Sequence, residues 1–311
     1  MDGQQVFAYT FFMQGNFYYL LDFTAGLIIS IMVVCNTQLG VALSMGVSTI
    51  INQIVGIIIL TLILVLFRSN RKINPKREHA PLYLWFNGLL GIPILYLNYL
   101  TVTSIGTSLA MSATVFGQSA IGLVFDHVGF MGLKKRTFSQ GKLLSLGISL
   151  AGIIVMAFEG GSFSIRYIIL GMLAGVLTMA QMVLNSTFSQ KKGAVFSARQ
   201  NVISGLFGAL AFFLLFFKQD TIAGLGQIPS VSLALLISGG ALACFVVVST
   251  NMAIVMVPAV YSALLLSSGQ VLMSLFLDGL LYRRFSLFLL SGALLMLLGM
   301  FLNFLSEKKN T

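Results

Sequence analysis

Charge is what this chain has least of. Only 8% of its 311 residues are charged, where a soluble domain carries roughly 25%. Hydrophobic residues make up 58% and the mean hydropathy is +0.98, so the composition excludes a soluble fold and points to a polytopic membrane protein. Cysteine is equally scarce. Cys35 and Cys244 both fall in apolar segments, which excludes a disulfide framework or a cysteine metal cluster and leaves two small core residues. No HExxH, DDxxD, CxxC or phosphate-cradling GxxxxGK occurs, and no Ser/His pair stands at membrane depth. His79 and His127 lie at or beside basic loops. We therefore expect no catalytic residue, metal or cofactor. An ATP-driven pump would need a nucleotide domain, and the sequence carries no phosphate-cradling motif for one. No Lys or Arg precedes Phe17, and no signal peptide is expected.

What is present is ten apolar runs of about 20 residues, the length that crosses a hydrocarbon core of roughly 30 Å. They lie near 17–36, 42–67, 81–103, 107–128, 139–158, 166–187, 198–217, 232–254, 258–280 and 285–306. The net charge of +10 is no sign of a nucleic-acid partner, because the basic residues sit in short loops and report orientation and lipid contact. Arg68, Arg71, Lys72, Lys76 and Arg77 fall on one side, with Lys134, Lys135, Arg136, Lys142, Lys191, Lys192, Arg199, Lys308 and Lys309. Arg166, Lys218, Arg283 and Arg284 fall on the other. A split of fourteen to four among 18 basic residues places both termini in the cytoplasm.

The chain says the same thing twice. Asn36 and Asn52 are separated as Asn185 and Asn201 are, with Ser48/Ser197 and Gly56/Gly205 at the same offset. The string GQSAIGLVFD (Gly117, Gln118, Asp126) returns as GQVLMSLFLD (Gly269, Gln270, Asp278). Each copy holds five spans, an odd number, so the second enters the membrane upside down. The predicted fold is an all-α integral membrane bundle of ten helices, built as two inverted five-helix repeats around a central cavity. The predicted boundaries are an N-terminal tail over 1–16, repeats over 17–160 and 161–306, and a C-terminal tail over 307–311. Inverted repeats are typical of secondary transporters, whose substrate site lies near the bilayer midplane between the repeats.

The first half carries Gly88, Gly91, Asn98, Gly106, Gly117, Gln118, Asp126 and Gly129 in a pattern that resembles the five-helix unit of the YdcZ-type branch of the drug/metabolite transporter superfamily. The second half matches more loosely: Asn251, Gly269, Gln270 and Asp278 stand, but Pro258 replaces the Gly106 position. The resemblance implies a cavity alternately open to each side and transport of a small metabolite across the cytoplasmic (inner) membrane of a bacterium. It carries over no substrate.

The polar residues inside the spans hold the mechanism, since polar groups in hydrocarbon face protein or water. Gln118, Gln270, Asn52 and Asn201 reach midplane depth, Asn98 and Asn251 lie nearer helix ends, and all are candidate substrate ligands. An amide both donates and accepts, which suits a neutral or zwitterionic metabolite. Interhelical packing is the alternative role for such amides, and Asn36 and Asn185, near helix ends, read as structural. Tyr96 and Tyr261 could supply a wall for a cationic or planar substrate; an interfacial belt is their other reading. Asp126 and Asp278 close helices at their C-terminal ends, and with Lys134 and Arg283 they read as gates or structural ion pairs. Asp22 has no counterpart, since Gly171 holds the equivalent place. It is either an ion-coupling carboxylate or an interfacial acid favoured by a helix N-terminus. The expected partners are a small-molecule substrate, a coupling proton or cation, and the bilayer, as a monomer or a dimer. The expected function is gradient-coupled transport of a small metabolite or cation by alternating access, with spans 1–5 rocking against 6–10. The competing reading is a non-transporting membrane scaffold or accessory subunit.

Overall fold

The computed structural model describes residues 3–67, 78–129, 140–158, 164–256, 259–283 and 286–308, without the side chains of 3–16, 254–256, 259–261, 282 and 307–308. The chain runs through α1 (Gly3–Ala42), α2 (Met45–Leu66), the short α3 (Leu82–Trp85), a 3-10 turn (Asn87–Leu90) and α4 (Gly91–Ile105). It continues with α5 (Thr107–Val128), α6 (Gln140–Ala157), α7 (Ile165–Lys192), α8 (Ala194–Phe216) and the short α9 (Lys218–Leu225). The last three helices are α10 (Leu233–Met256), α11 (Ala259–Tyr282) and α12 (Leu287–Lys308).

Ten of these are long and apolar enough to cross a membrane, α4 doing so together with its 3-10 turn. The ten expected spans are therefore all present, with shifted ends. The first apolar span, Phe17–Ala42, is longer than its hydropathy pattern indicated. Its helix already begins at Gly3, inside the stretch expected as a tail. The third span breaks where Pro93 forbids a regular start. With no N–H and a ring that crowds the carbonyl of Leu89, Pro93 fits only the first turn of α4, and residues 87–90 tighten to 3-10 geometry before it. Tight corners between neighbouring spans use Gly106 (φ 78°) and Gly193 (φ 91°), where a Cβ would be strained.

Packing obeys the repeat. Helix α1 lies on α11 and on α10, and its counterpart α7 lies on α5 and on α4. Helix α10 packs on α2 as the 3-10 turn packs on α8, and α2·α8, α5·α11 and α6·α12 each join an element to its own counterpart. Every one of these contacts crosses between repeats. The closest approaches use glycine. Gly26 of α1 and Gly269 of α11 set those two backbones against each other, and Gly175 of α7 and Gly117 of α5 do the same at the repeat-related place. Small residues permit such approach, and van der Waals packing is what holds helices together in lipid.

The expected rocking of spans 1–5 against 6–10 would have to part α1 from α11, α7 from α5 and α6 from α12 at once.

A side chain at Gly26 or Gly175 would run into the backbone of Leu266 or Thr114. Gly26→Val and Gly175→Val should each destabilise the protein by about 1–3 kcal/mol, measured as thermal unfolding in detergent, whereas Gly147→Val, where nothing stands within 4 Å of a new Cβ, should cost much less.

Candidate substrate cavity

Eight spans surround one cavity, which encloses about 1290 Å³ of empty space, its open mouth included. Helices α6 and α12 contribute nothing to its wall. Its polar lining is all amide and hydroxyl, including Gln118, Gln270, Asn52, Asn201, Asn98 and Asn251, set among apolar residues such as Met32, Met111 and Val202. Among the described residues no charged side chain and no aromatic ring lines it. Small-molecule sites are commonly apolar clefts with a few placed polar groups. Here every placed polar group is a neutral dipole.

All six amides named from the sequence thus come to one cavity. Gln118 stands near the middle of α5 and Gln270 near the middle of α11, and the two do not bond each other. Gln270 is fully buried and neither amide atom has a partner; the Asn98 side-chain oxygen is likewise buried without a donor. Asn251 donates to the Ala194 carbonyl at 3.3 Å.

Sequence reasoning missed several members. Asn36 and Asn185, read as structural, line the cavity and accept from Asn52 Nδ2 at 2.7 Å and from Asn201 Nδ2 at 3.0 Å. Gln53, Gln181 and Thr178 also line it. Their recurrence toward one side of α2 and α7 was the available signal, at the spacing that puts residues on one helix face.

The remaining candidates fall elsewhere. Tyr96 does not line the cavity; its ring packs against Phe212 and Phe217 at centroid distances of 6.5 and 5.7 Å. The Tyr261 side chain and Lys134 lie outside the described residues, as do Pro258 and the loop 68–77. Lys142, counted with a loop, sits buried in the first turn of α6. Asp126 is partly exposed near the C-terminal end of α5.

Asp278 overturns the ion-pair reading. Its carboxylate is buried and accepts the backbone N–H of Thr107 at 3.0 Å and of Ser108 at 2.7 Å, while Arg283 is exposed beyond α11. The acid that seemed misplaced at the C-terminus of α11 caps the N-terminus of α5, where unsatisfied N–H groups and the helix dipole favour a negative charge.

Asp22 is fully buried in α1 and does not line the cavity. Because α1 starts at Gly3, Asp22 lies about five turns into the helix, beyond reach of its N-terminus, so a favourable helix dipole does not account for the acid. Ser262 of α11 lies beside it, yet no donor meets either carboxylate oxygen in hydrogen-bond geometry.

Ten helices long and apolar enough to span a membrane, in two interlocked repeats around an amide-lined cavity, define a multi-pass membrane protein. The family model described as "Putative inner membrane exporter, YdcZ" matches residues 17–155 and again 166–302. The chain belongs to this family, as two fused units. A solved crystal structure is similar over 94% of this chain and 97% of its own, with a TM-score of 0.63 and 16% identity, a likeness of fold alone. No curated protein matches the chain in sequence.

Asp278→Ala would leave two buried N–H groups without an acceptor and should cost about 1–3 kcal/mol. Asp278→Asn, which keeps one acceptor, should cost less. Unfolding curves of the purified variants measure the difference.

Proposed function

We propose that this protein is a secondary transporter that carries a small, uncharged polar metabolite through the amide-lined cavity by alternating access. The observation that carries the proposal is the lining. A cavity of neutral donors and acceptors, with neither carboxylate nor aromatic ring among its described residues, suits a neutral polar cargo better than a cation. A charged cargo would lose its hydration with no opposite charge to offset the loss. Gln118, Gln270, Asn52, Asn201, Asn98 and Asn251 are the proposed substrate ligands. The family's description names an exporter, so outward movement is the proposed direction. Switching between access states follows from substrate contacts that differ between them.

A second observation favours coupling to protons through Asp22. The repeat register sets Asp22 opposite Ser262 in one half, and Gly171 opposite Ala110 in the other. An acid and a hydroxyl thus replace two small residues together. A buried carboxylate without a donor is costly when ionised, so a site that alternates between protonated and ionised forms as the protein changes state is a natural use for it.

Two measurements test these readings. A metabolite library screened by thermal shift should yield neutral polar ligands that stabilise the wild type, by about 2.7 kcal/mol at a hundred times the dissociation constant. Gln118→Ala/Gln270→Ala should lose that response, and a response equal to wild type would reduce the two glutamines to packing. In proteoliposomes, Asp22→Asn should keep substrate exchange at equal pH and lose accumulation driven by a pH gradient. Gradient-driven accumulation that survives the change would remove Asp22 from coupling.

A further inference from the structure

The two repeats place equivalent asparagine pairs in the wall of one cavity and give them different company. Asn36 and Asn52 are joined as Asn185 and Asn201 are, and Ser48 and Ser197 each donate to the backbone carbonyl of the first asparagine at 3.2 Å. Gly88 packs on the backbone carbonyl of Asn201 and Gly240 on that of Asn52, so the residue before each of these glycines faces its asparagine pair. In one repeat that residue is Asn87, in the other Gly239.

Asn87 shows what such a pair can hold. Its side-chain Nδ2 donates to Asn185 Oδ1 at 2.7 Å, and its Oδ1 accepts from Asn201 Nδ2 at 3.3 Å. A carboxamide from another helix is thus gripped by its donor and its acceptor at once. At Gly239 no such group exists. The side-chain oxygens of Asn36 and Asn52 lean into the space a Cβ there would take. Asn52 is 7% exposed, and its Oδ1 is buried with no donor. These oxygens are the free ends of rotatable side chains, so the space can be vacated without moving backbone.

We propose that the Asn36–Asn52 pair docks the substrate, and that it takes a carboxamide-type edge in the place Asn87 fills in the other repeat. Such an edge sets an N–H donor beside a C=O acceptor, as in a primary amide, a urea or a lactam. This rests on the cavity being the substrate site and adds the class of group it reads. A carboxylate brings acceptors only and has no N–H to give the Asn36 oxygen, the counterpart of the Asn185 oxygen that Asn87 meets. A lone hydroxyl is too small to meet both asparagines in the way the Asn87 amide does.

The test uses the full-length protein in detergent with benzamide, benzoate and benzyl alcohol, which share a ring and differ in the polar edge. Benzamide should raise the melting temperature of the wild type, and the other two should do so weakly or not at all. Gly239→Asn, which builds the second carboxamide into the chain, should abolish the benzamide shift. Asn52→Leu, an independent change should Gly239→Asn fail to fold, should weaken benzamide binding by about tenfold. The proposal is overturned if benzamide shifts the wild type no more than benzoate or benzyl alcohol does, or if its shift survives in Asn52→Leu. A benzamide shift that survives there but disappears in Gln118→Ala/Gln270→Ala would retain the cavity as the substrate site and remove the asparagine pair from recognition.

Discussion

Backbone-to-backbone contact at paired glycines is the constraint from which the rest of this bundle follows. Lipid is as apolar as the helix surfaces, so burying leucine between spans gains little over leaving it in the bilayer. What holds α1 to α11 and α7 to α5 is the close approach allowed by Gly26, Gly269, Gly175 and Gly117. Both contacts join one repeat to the other. They lock the two halves into a single interleaved body, with α6 and α12 paired outside the cavity wall. The surfaces facing lipid can then stay plainly apolar, as with the exposed Leu66, Leu215 and Leu287.

Two charges stand where a dipole or a partner exists. Asp278 meets the positive end of α5, and Lys192 stands over the Trp85 ring at 5.6 Å, a contact suited to an interfacial cation. Among the described residues the cavity wall carries no charged side chain, and its uncharged dipoles cost little so long as they find one another. Several of them do not: the Gln270 amide and the Asn52 and Asn98 oxygens lack protein partners. These unmatched groups are the ones the proposed cargo would satisfy.

The repeat makes differences between the halves as informative as their likeness. The frame is common to both: the asparagine pairs, the serine bonds beneath them and the glycine contacts. Against that frame stand Asp22 with Ser262 opposite Gly171 with Ala110, and Asn87 opposite Gly239. These substitutions make the two halves chemically different.

Span number, the inverted repeat and the gathering of Gln118, Gln270 and the asparagines were all legible in the chain. Apolar length, an odd count of spans and a fixed offset are properties of sequence order, and hydrocarbon forces polar groups inward whatever the neighbours are. Other features depended on which helix ends up beside which. The Asp278 partner is an N-terminus 170 residues away, and nothing local to GQVLMSLFLD tells it apart from an acid paired with Arg283. Tyr96 has the composition of a binding aromatic, and its neighbours Phe212 and Phe217 come from the C-terminal end of α8 and the residue after it, in the other repeat. The distance of Asp22 from its helix N-terminus turned on a helix that starts earlier than hydropathy shows. Sequence determined which residues must avoid lipid, because that cost belongs to each residue alone. Tertiary structure decided which of them meet, because hydrogen bonds and close packing are properties of pairs.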